Sequence, residues 1–164
     1  MNWSTLFTMQ EKLDEHIVEN HHLHHENLLE EKYLALLVEL GELANETRCF
    51  KFWSTKEASA REKILEEYVD GIHFILSLGI EKGYRFTENP ETIATKKTTS
   101  LTAQFNDVFQ AIVHFRKNPS EQNYDHLFTQ FLQLGQMLQF SSDHIFQAYI
   151  DKNEVNFARQ EDGY

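Results

Sequence analysis

Four carboxylates carry the clearest chemistry in this sequence. Glu39 and Glu42 lie three residues apart, and Glu67 and Asp70 repeat the spacing further along the chain. At about 100° per residue, groups three residues apart share one face of a helix. Carboxylates that converge between two packed helices repel one another and need protons, basic partners or cations. Their oxygen ligands favour magnesium or manganese, so we expect a divalent-metal site.

The apolar neighbours of these acids place them at the edge of a core. Leu40 and Leu43 occupy a helical arc next to that of Glu39 and Glu42. The second acidic pair directly precedes the most apolar stretch of the chain, residues 72–76, so we expect it to be buried. Surface acids paired with lysines at i,i+3 and i,i+4 would show the same spacing, and they are the alternative.

A polar stripe near the end of the chain could bind anionic groups. Tyr149, Lys152, Asn153, Asn156 and Arg159 recur at helical intervals. An arginine can donate two hydrogen bonds to phosphate oxygens, and a lysine adds a point charge. We therefore expect the lysine, the second asparagine and the arginine to bind phosphate. A solvated helix end with basic residues favoured by the helix dipole is the alternative.

Helices must position these groups, because apolar residues recur at intervals of three and four while prolines and glycines are few. We predict an all-α bundle of about six helices with a four-helix core, forming a single domain over residues 1–164. The predicted helices run from about Trp3 to Glu19, from Glu26 to Phe50, from Ala58 to Gly83, from Leu101 to just before Asn118, from a cap at Ser120, and from a cap at Ser142 to about Gln160. Residues 84–100 read as a surface connection that could act as a lid.

Charge and cysteine content exclude several classes of partner. The formal net charge of −11 disfavours nucleic acid and anionic membrane surfaces. Cys49 is the single cysteine, which suits a reducing compartment, and we read it as structural. With no secretory signal pattern and no long apolar stretch, the expected location is the cytoplasm. The histidines between His21 and His25 are interpreted as a polar loop rather than a metal site.

The two acidic pairs resemble the signature of the all-α NTP pyrophosphatases, which include the dimeric dUTPases and the MazG-like enzymes. Other segments are similar to the dimeric dUTPase pattern over nearly the whole chain. These segments are Met9-Gln10-x-x-Leu13-Asp14, Glu46-x-x-x-Phe50-Lys51-x-Trp53-Ser54, Asp70-Gly71-x-His73-Phe74-x-Leu76-Ser77 and Tyr149-x-x-Lys152-Asn153-x-x-Asn156-x-x-Arg159-Gln160.

The resemblance implies a homodimer that cleaves dUTP to dUMP and pyrophosphate, with dUDP as a further substrate. It implies magnesium held by all four carboxylates. It also implies contacts with base or sugar from Gln10, Trp53, His73, Phe74 and Asn153. The expected mechanism is in-line attack of a metal-activated water on the α-phosphorus, in which one of the first two glutamates takes the proton.

Other functions remain open at this point. A MazG-like or dCTP-directed pyrophosphohydrolase would keep the acids and change the base pocket. A ferritin-like di-iron site would need Glu-x-x-His motifs that the later helices lack. A helical interaction or regulatory protein is the non-enzyme alternative. Individually, Trp53 and Phe74 could be core residues, and His73 could be a buried histidine bound to a carboxylate.

Overall fold

The computed structural model describes residues 1–87, 100–161 and 163 of the chain. It contains six α-helices: α1 (Trp3–Asn20), α2 (Leu29–Thr47), α3 (Arg61–Lys82), α4 (Leu101–Lys117), α5 (Glu121–Met137) and α6 (Ser142–Glu161). No strand occurs in these ranges. The all-α prediction with six helices is confirmed. The possible lid falls largely on residues 88–99, outside the described part of the chain.

Helix α3 is the centre of the bundle. It packs against α1, α2, α5 and α6. Its apolar residues Val69, Ile72 and Ile75 are fully buried, as expected for a helix that is apolar almost all round. None of the described helices has the length and apolar character needed to cross a lipid bilayer.

Two buried tyrosines tie α3 to α5. Tyr68 donates its hydroxyl to the Phe131 carbonyl oxygen (3.1 Å), and Tyr124 donates to that of Ile75 (3.0 Å). Both side chains are fully buried. Each hydroxyl thus satisfies its hydrogen bond inside the core while the ring contributes apolar contact area.

Local signals fix several helix ends, and four predicted ends differ from the structure: the cap of α6, both ends of α2 and the start of α3. The hydroxyls of Ser100 and Ser120 cap α4 and α5 as N-cap residues, and the second of these caps was predicted. Helix α6 is capped by Ser141, whose Oγ accepts from the His144 amide, and not by the predicted Ser142. Helix α2 ends at Thr47, since Arg48 adopts a left-handed conformation with φ of 58°.

The other boundaries of α2 and α3 lie inside the predicted ranges. Helix α2 begins at Leu29, three residues later than predicted. The backbone amide of Leu29 donates to Asn27 Oδ1. Helix α3 begins at Arg61, because the preceding segment is drawn back onto α2 by the Ser59 amide, which donates to the Glu46 carbonyl oxygen (3.0 Å). These polar contacts of the loop are invisible to helical periodicity.

Close packing around Gly79 gives a testable consequence. A methyl group there would overlap the Tyr124 hydroxyl, so Gly79→Ala is expected to destabilise the fold by about 1–3 kcal/mol through overpacking. Gly41 is the matched control in mid-helix, since no neighbouring side chain lies within 4 Å of the place that a Cβ would take there. At this position Ala should stabilise by about 0.5–1 kcal/mol through helix propensity. Urea denaturation of both variants measures the difference, and equal stabilities would contradict the packing.

Candidate active site

Three carboxylates from α2 and α3 converge where these two helices pack together. Glu39, Glu67 and Asp70 each place a carboxylate oxygen within 4.8 Å of the others. Glu67 is buried, and the other two are partly buried. Glu42 was expected in the same cluster, but its side chain is exposed and it is not part of this group. The packing of α2 on α3 therefore brings together three of the four predicted acids.

Their proximity perturbs the acids strongly. Burial raises the pKa of Glu39 to about 7, and the negative charges of Asp70, Glu42 and Glu67 add to the shift. Burial also raises the pKa of Asp70, although its hydrogen bond from Lys152 opposes the change. The charged forms of these carboxylates are thus disfavoured, as expected when like charges share a partly dry site.

Two lysines partly compensate this negative charge. Lys152 Nζ donates to Asp70 Oδ2 (2.8 Å) and to Glu66 Oε1 (3.0 Å). Burial alone would lower the pKa of Lys152, but the hydrogen bonds to these two carboxylates outweigh it and raise the pKa. Lys63 Nζ lies 2.6 Å from Glu67 Oε1. The phosphate-binding candidate Lys152 therefore reaches the acidic cluster from α6.

The cluster fits a hard divalent cation. All three donors are carboxylate oxygens, the ligand type that magnesium and manganese prefer. Burial is the main cause of the raised pKa of Glu39, and the charges of the neighbouring carboxylates add to it although Lys152 opposes them. A cation between these oxygens would remove that repulsion.

A pocket of about 360 Å³ opens beside the cluster, between α1, α2, α3 and α6. Glu39 and Asp70 line one end of it, together with Lys152. Other polar lining residues are Gln10, Asp14, Lys32, His73, Ser77, Asn156 and Arg159, and the apolar ones are Leu13, Ile17, Val18, Leu28 and Phe74. Acids, cations and a mixed polar and apolar wall thus share one cavity of the size that small-molecule ligands occupy.

A buried hydrogen-bond network forms the wall of this pocket away from the acids. Gln10 Oε1 is 2.8 Å from His73 Nδ1 and accepts from the Tyr149 hydroxyl at 2.6 Å. Gln10 Nε2 donates to Asp14 Oδ1 (2.7 Å), and Ser77 Oγ donates to Asp14 Oδ2 (2.6 Å). The network links helices α1, α3 and α6 through side chains alone.

His73 is the most perturbed base in the pocket. Burial, together with the positive charge of Lys152, lowers its pKa to about 3. Its ring stacks on that of Tyr149, with the centroids 4.0 Å apart. Its Nε2 is buried and has no hydrogen-bond partner among the described residues. The imidazole is therefore neutral, with one nitrogen left available.

A family model described as dUTPase matches residues 2–164, essentially the whole chain. The chain belongs to the dUTPase family. It is thus a dUTP diphosphatase, as the acidic pairs and the other motifs predicted, and it acts on a nucleotide with a divalent metal. No curated protein matches the chain.

Two predicted base- or sugar-binding residues of this dUTPase do not line the pocket. Trp53 is 65% exposed on the loop after α2, where it contacts Phe50 and Phe52. Arg48 holds this loop by donating to Ser54 Oγ (2.6 Å). Asn153 is buried one turn after Tyr149 and is not among the lining residues. The structure brings the other predicted residues, Gln10, His73 and Phe74, into the pocket of the same chain.

The sequence interpretation gave no role to three polar residues that line the dUTPase pocket: Asp14, Lys32 and Ser77. A signal for two of them was present. Asp14 follows Gln10 by four residues on α1, and Ser77 follows His73 by four on α3, so each pair shares a helix face. Lys32, 3.6 Å from Asp14 Oδ2, has no such local signal, since α2 brings it there only by tertiary packing.

The raised pKa of Glu39 gives a pH dependence. Without metal, the folded chain keeps the Glu39 proton over a range in which the unfolded chain has lost it. The contribution of Glu39 to the free energy of unfolding should therefore fall as pH rises from about 4.5 to about 7, by about 1–2 kcal/mol after discounting for partial exposure. Buried His73, with its lowered pKa, contributes in the opposite sense below about pH 6.5, so the difference between wild type and Glu39→Gln isolates Glu39. Urea titrations in chelator should show the free energy of unfolding of wild type falling with pH relative to that of Glu39→Gln, but not relative to that of Glu62→Gln, at an exposed site in the first turn of α3; a constant difference between wild type and Glu39→Gln would contradict the assignment.

Proposed function

We propose that the chain hydrolyses dUTP to dUMP and pyrophosphate with Mg²⁺ held by Glu39, Glu67 and Asp70. Mn²⁺ is the alternative ion with the same ligand preference. The convergence of these three carboxylates, two of which line a nucleotide-sized pocket, carries the proposal. Glu42, exposed but close enough for its charge to act on Glu39, completes the proposed acidic set from the rim.

The bound ion would neutralise phosphate charge and activate water toward the α-phosphorus. The chain's own residues handle the anion and the proton. Asn156 and Arg159 line the pocket one and two turns beyond Lys152 on α6, and we assign all three to the phosphates. Glu39 is the better placed proton acceptor of the two predicted catalytic glutamates, because it lines the pocket while Glu42 faces solvent.

The base is assigned to the wall formed by Gln10, His73 and Phe74. These side chains offer hydrogen-bonding groups beside an aromatic ring, a combination suited to a pyrimidine. Asn153 stands behind this wall, so we assign it to support of the base and sugar site. Trp53 is too exposed on its own chain to act there, and any contact of this indole with a base would come from a second chain.

The choice of base separates the proposal from its rival, a dCTP-directed or MazG-like enzyme. The diphosphate dUDP carries the same base and the same α-phosphorus, so we include it as a second substrate. A dCTP-directed or MazG-like enzyme would use the same acidic cluster with a different base preference. Incubation of the protein and Mg²⁺ with dUTP, dUDP, dCTP, dTTP and UTP, followed by measurement of monophosphate release, distinguishes these cases. Turnover of dCTP equal to that of dUTP would contradict the uracil assignment.

Substitution in the acidic cluster tests the metal site. Glu67→Gln and Asp70→Asn should each lower turnover of dUTP by more than about 100-fold, because each removes a metal ligand. Both variants should also lose the rise in melting temperature that Mg²⁺ gives the wild-type chain, since an ion that binds only the folded state stabilises it. Steady-state kinetics and thermal melts with and without Mg²⁺ measure the two effects.

Glu66→Gln is the matched control for these variants. Glu66 lies on the same helix and binds Lys152 and Lys63, but it is not part of the converging group. Its turnover should stay within about tenfold of wild type, since only contacts to lysines are lost. Equal losses in all three variants would show that general charge, and not ligation, explains the effect.

A homodimer is part of the proposal, and the outer face of α2 supports it. The core-facing residues of this helix include Leu36, Leu40 and Leu43, yet Leu34 and Val38 are 63% and 48% exposed on its other side. Two large apolar side chains one turn apart on an outer face are typical of a contact surface.

A cytoplasmic location also remains part of the proposal, because the single cysteine needs no oxidising compartment.

Charge placed on that face tests the dimer. Leu34→Glu combined with Val38→Glu should give a monomer by sedimentation velocity, because the partner would have to bury two carboxylates. Val155→Glu is the control and should remain a dimer. This residue is equally apolar and 46% exposed, but it lies on α6, which packs against α1 and α3. A dimer in the double variant would exclude this face of α2.

A further inference from the structure

The pocket residues Gln10, Asp14, His73 and Ser77 form a hydrogen-bonded polar wall. The order of donors and acceptors in this wall is fixed, and it begins at Asp14. Its two carboxylate oxygens accept from Gln10 Nε2 and from Ser77 Oγ, and Lys32 Nζ lies 3.6 Å from Oδ2. A carboxylate offers acceptors only. The amide group that faces Asp14 must therefore be the NH₂ of Gln10.

This constraint sets the orientation of the whole amide. If the Gln10 side chain turned over, its Oε1 would face Asp14 Oδ1 at the present 2.7 Å separation, and two acceptors would meet in a buried site. Oε1 is thus held toward His73 and Tyr149. The Tyr149 hydroxyl donates to it at 2.6 Å, which supports the same orientation from α6.

The orientation of the amide in turn decides the tautomer of His73. Because Gln10 Oε1 accepts at 2.8 Å, His73 Nδ1 must carry the ring proton. A neutral imidazole then presents a lone pair at Nε2. His73 lines the pocket, the residue is only 5% exposed, and Nε2 meets no hydrogen-bond partner in the described part of the chain.

We infer that Asp14 is a positioning residue for base selection: through Gln10 it fixes His73 as an acceptor, so that the pocket requires an N–H donor from the base. The inference rests on the proposed function and names what that site distinguishes. Uracil presents an N–H at N3, in the middle of its pairing edge. Cytosine presents a lone pair there, which would leave two acceptors facing each other.

Asp14→Asn is the sharpest test because it permits the network to reverse. Lys32 Nζ, 3.6 Å from Oδ2, favours the oxygen of the new amide on that side, where it still accepts from Ser77 Oγ, so the NH₂ faces Gln10 and can donate to Oε1. Gln10 Nε2 would then donate to His73 Nδ1, which moves the ring proton to Nε2. The Tyr149 hydroxyl could turn to the Leu6 carbonyl oxygen, 3.5 Å away in the structure. Every group would keep a partner, with the opposite polarity at the pocket.

The test has two readouts in the full-length protein. The first is the ratio of kcat/KM for dUTP to that for dCTP with Mg²⁺, which should fall by at least about tenfold in Asp14→Asn. The second is the ¹⁵N NMR spectrum of the histidine rings without nucleotide, where the protonated and the lone-pair nitrogen have distinct shifts. A His73→Gln variant identifies the signal among the nine histidines. Wild type should show Nδ1–H, and Asp14→Asn should move the proton toward Nε2.

Glu15→Gln is the matched control. It removes the negative charge of the neighbouring, exposed residue on α1 but keeps the Asp14 carboxylate, so the tautomer and the dUTP to dCTP ratio should stay at wild-type values. An Nε2–H tautomer in wild type, or an unchanged ratio and tautomer in Asp14→Asn, would overturn the inference. If wild type failed to release dUMP from dUTP, the proposed function would fall, while the NMR measurement would still decide the role of Asp14.

Discussion

Repulsion among partly buried carboxylates is the constraint on which the rest of this site depends. Glu39, Glu67 and Asp70 are held together by the packing of α2 on α3, and burial plus mutual repulsion raises the pKa of Glu39 to about 7. A charge left uncompensated in such a site is destabilising. Lys152 and Lys63 offset part of the charge, and a divalent cation would offset the remainder.

One helix places both ends of the site. Glu67 and Asp70 lie on the same helix as His73 and Ser77, so the metal end and the base end share the rigid frame of α3. That helix can stand at the centre because its glycines allow close approach: the rings of Phe131 and Tyr124 pack where a Cβ would otherwise be. The most tightly packed element of the bundle therefore also carries the most functional groups, which favours a preorganised site.

The polar wall shows a second kind of preorganisation, based on hydrogen-bond direction instead of charge. Lys32, Asp14 and Gln10 form a series of contacts in which each group restricts the hydrogen-bond direction of the next. The series ends at His73. Because His73 is buried and its pKa is lowered to about 3, it remains neutral over the physiological range. The pocket thus has charged side chains suited to phosphates and oriented hydrogen-bonding side chains suited to a base. This division matches the two parts of a nucleotide.

The sequence by itself determined the fold class, the six helices and the candidate metal ligands, because helical periodicity and three-residue spacing are local properties. It also indicated the dUTPase family through motifs such as Asp70-Gly71-x-His73, which the family match confirmed. Only the tertiary structure decided that Glu42 faces solvent, that Trp53 lies outside its own pocket, and that Lys32 reaches Asp14. The places of Glu42 and Lys32 depend on how the helices rotate against one another, and that of Trp53 depends on the fold of the loop after α2. No spacing along a single helix records either.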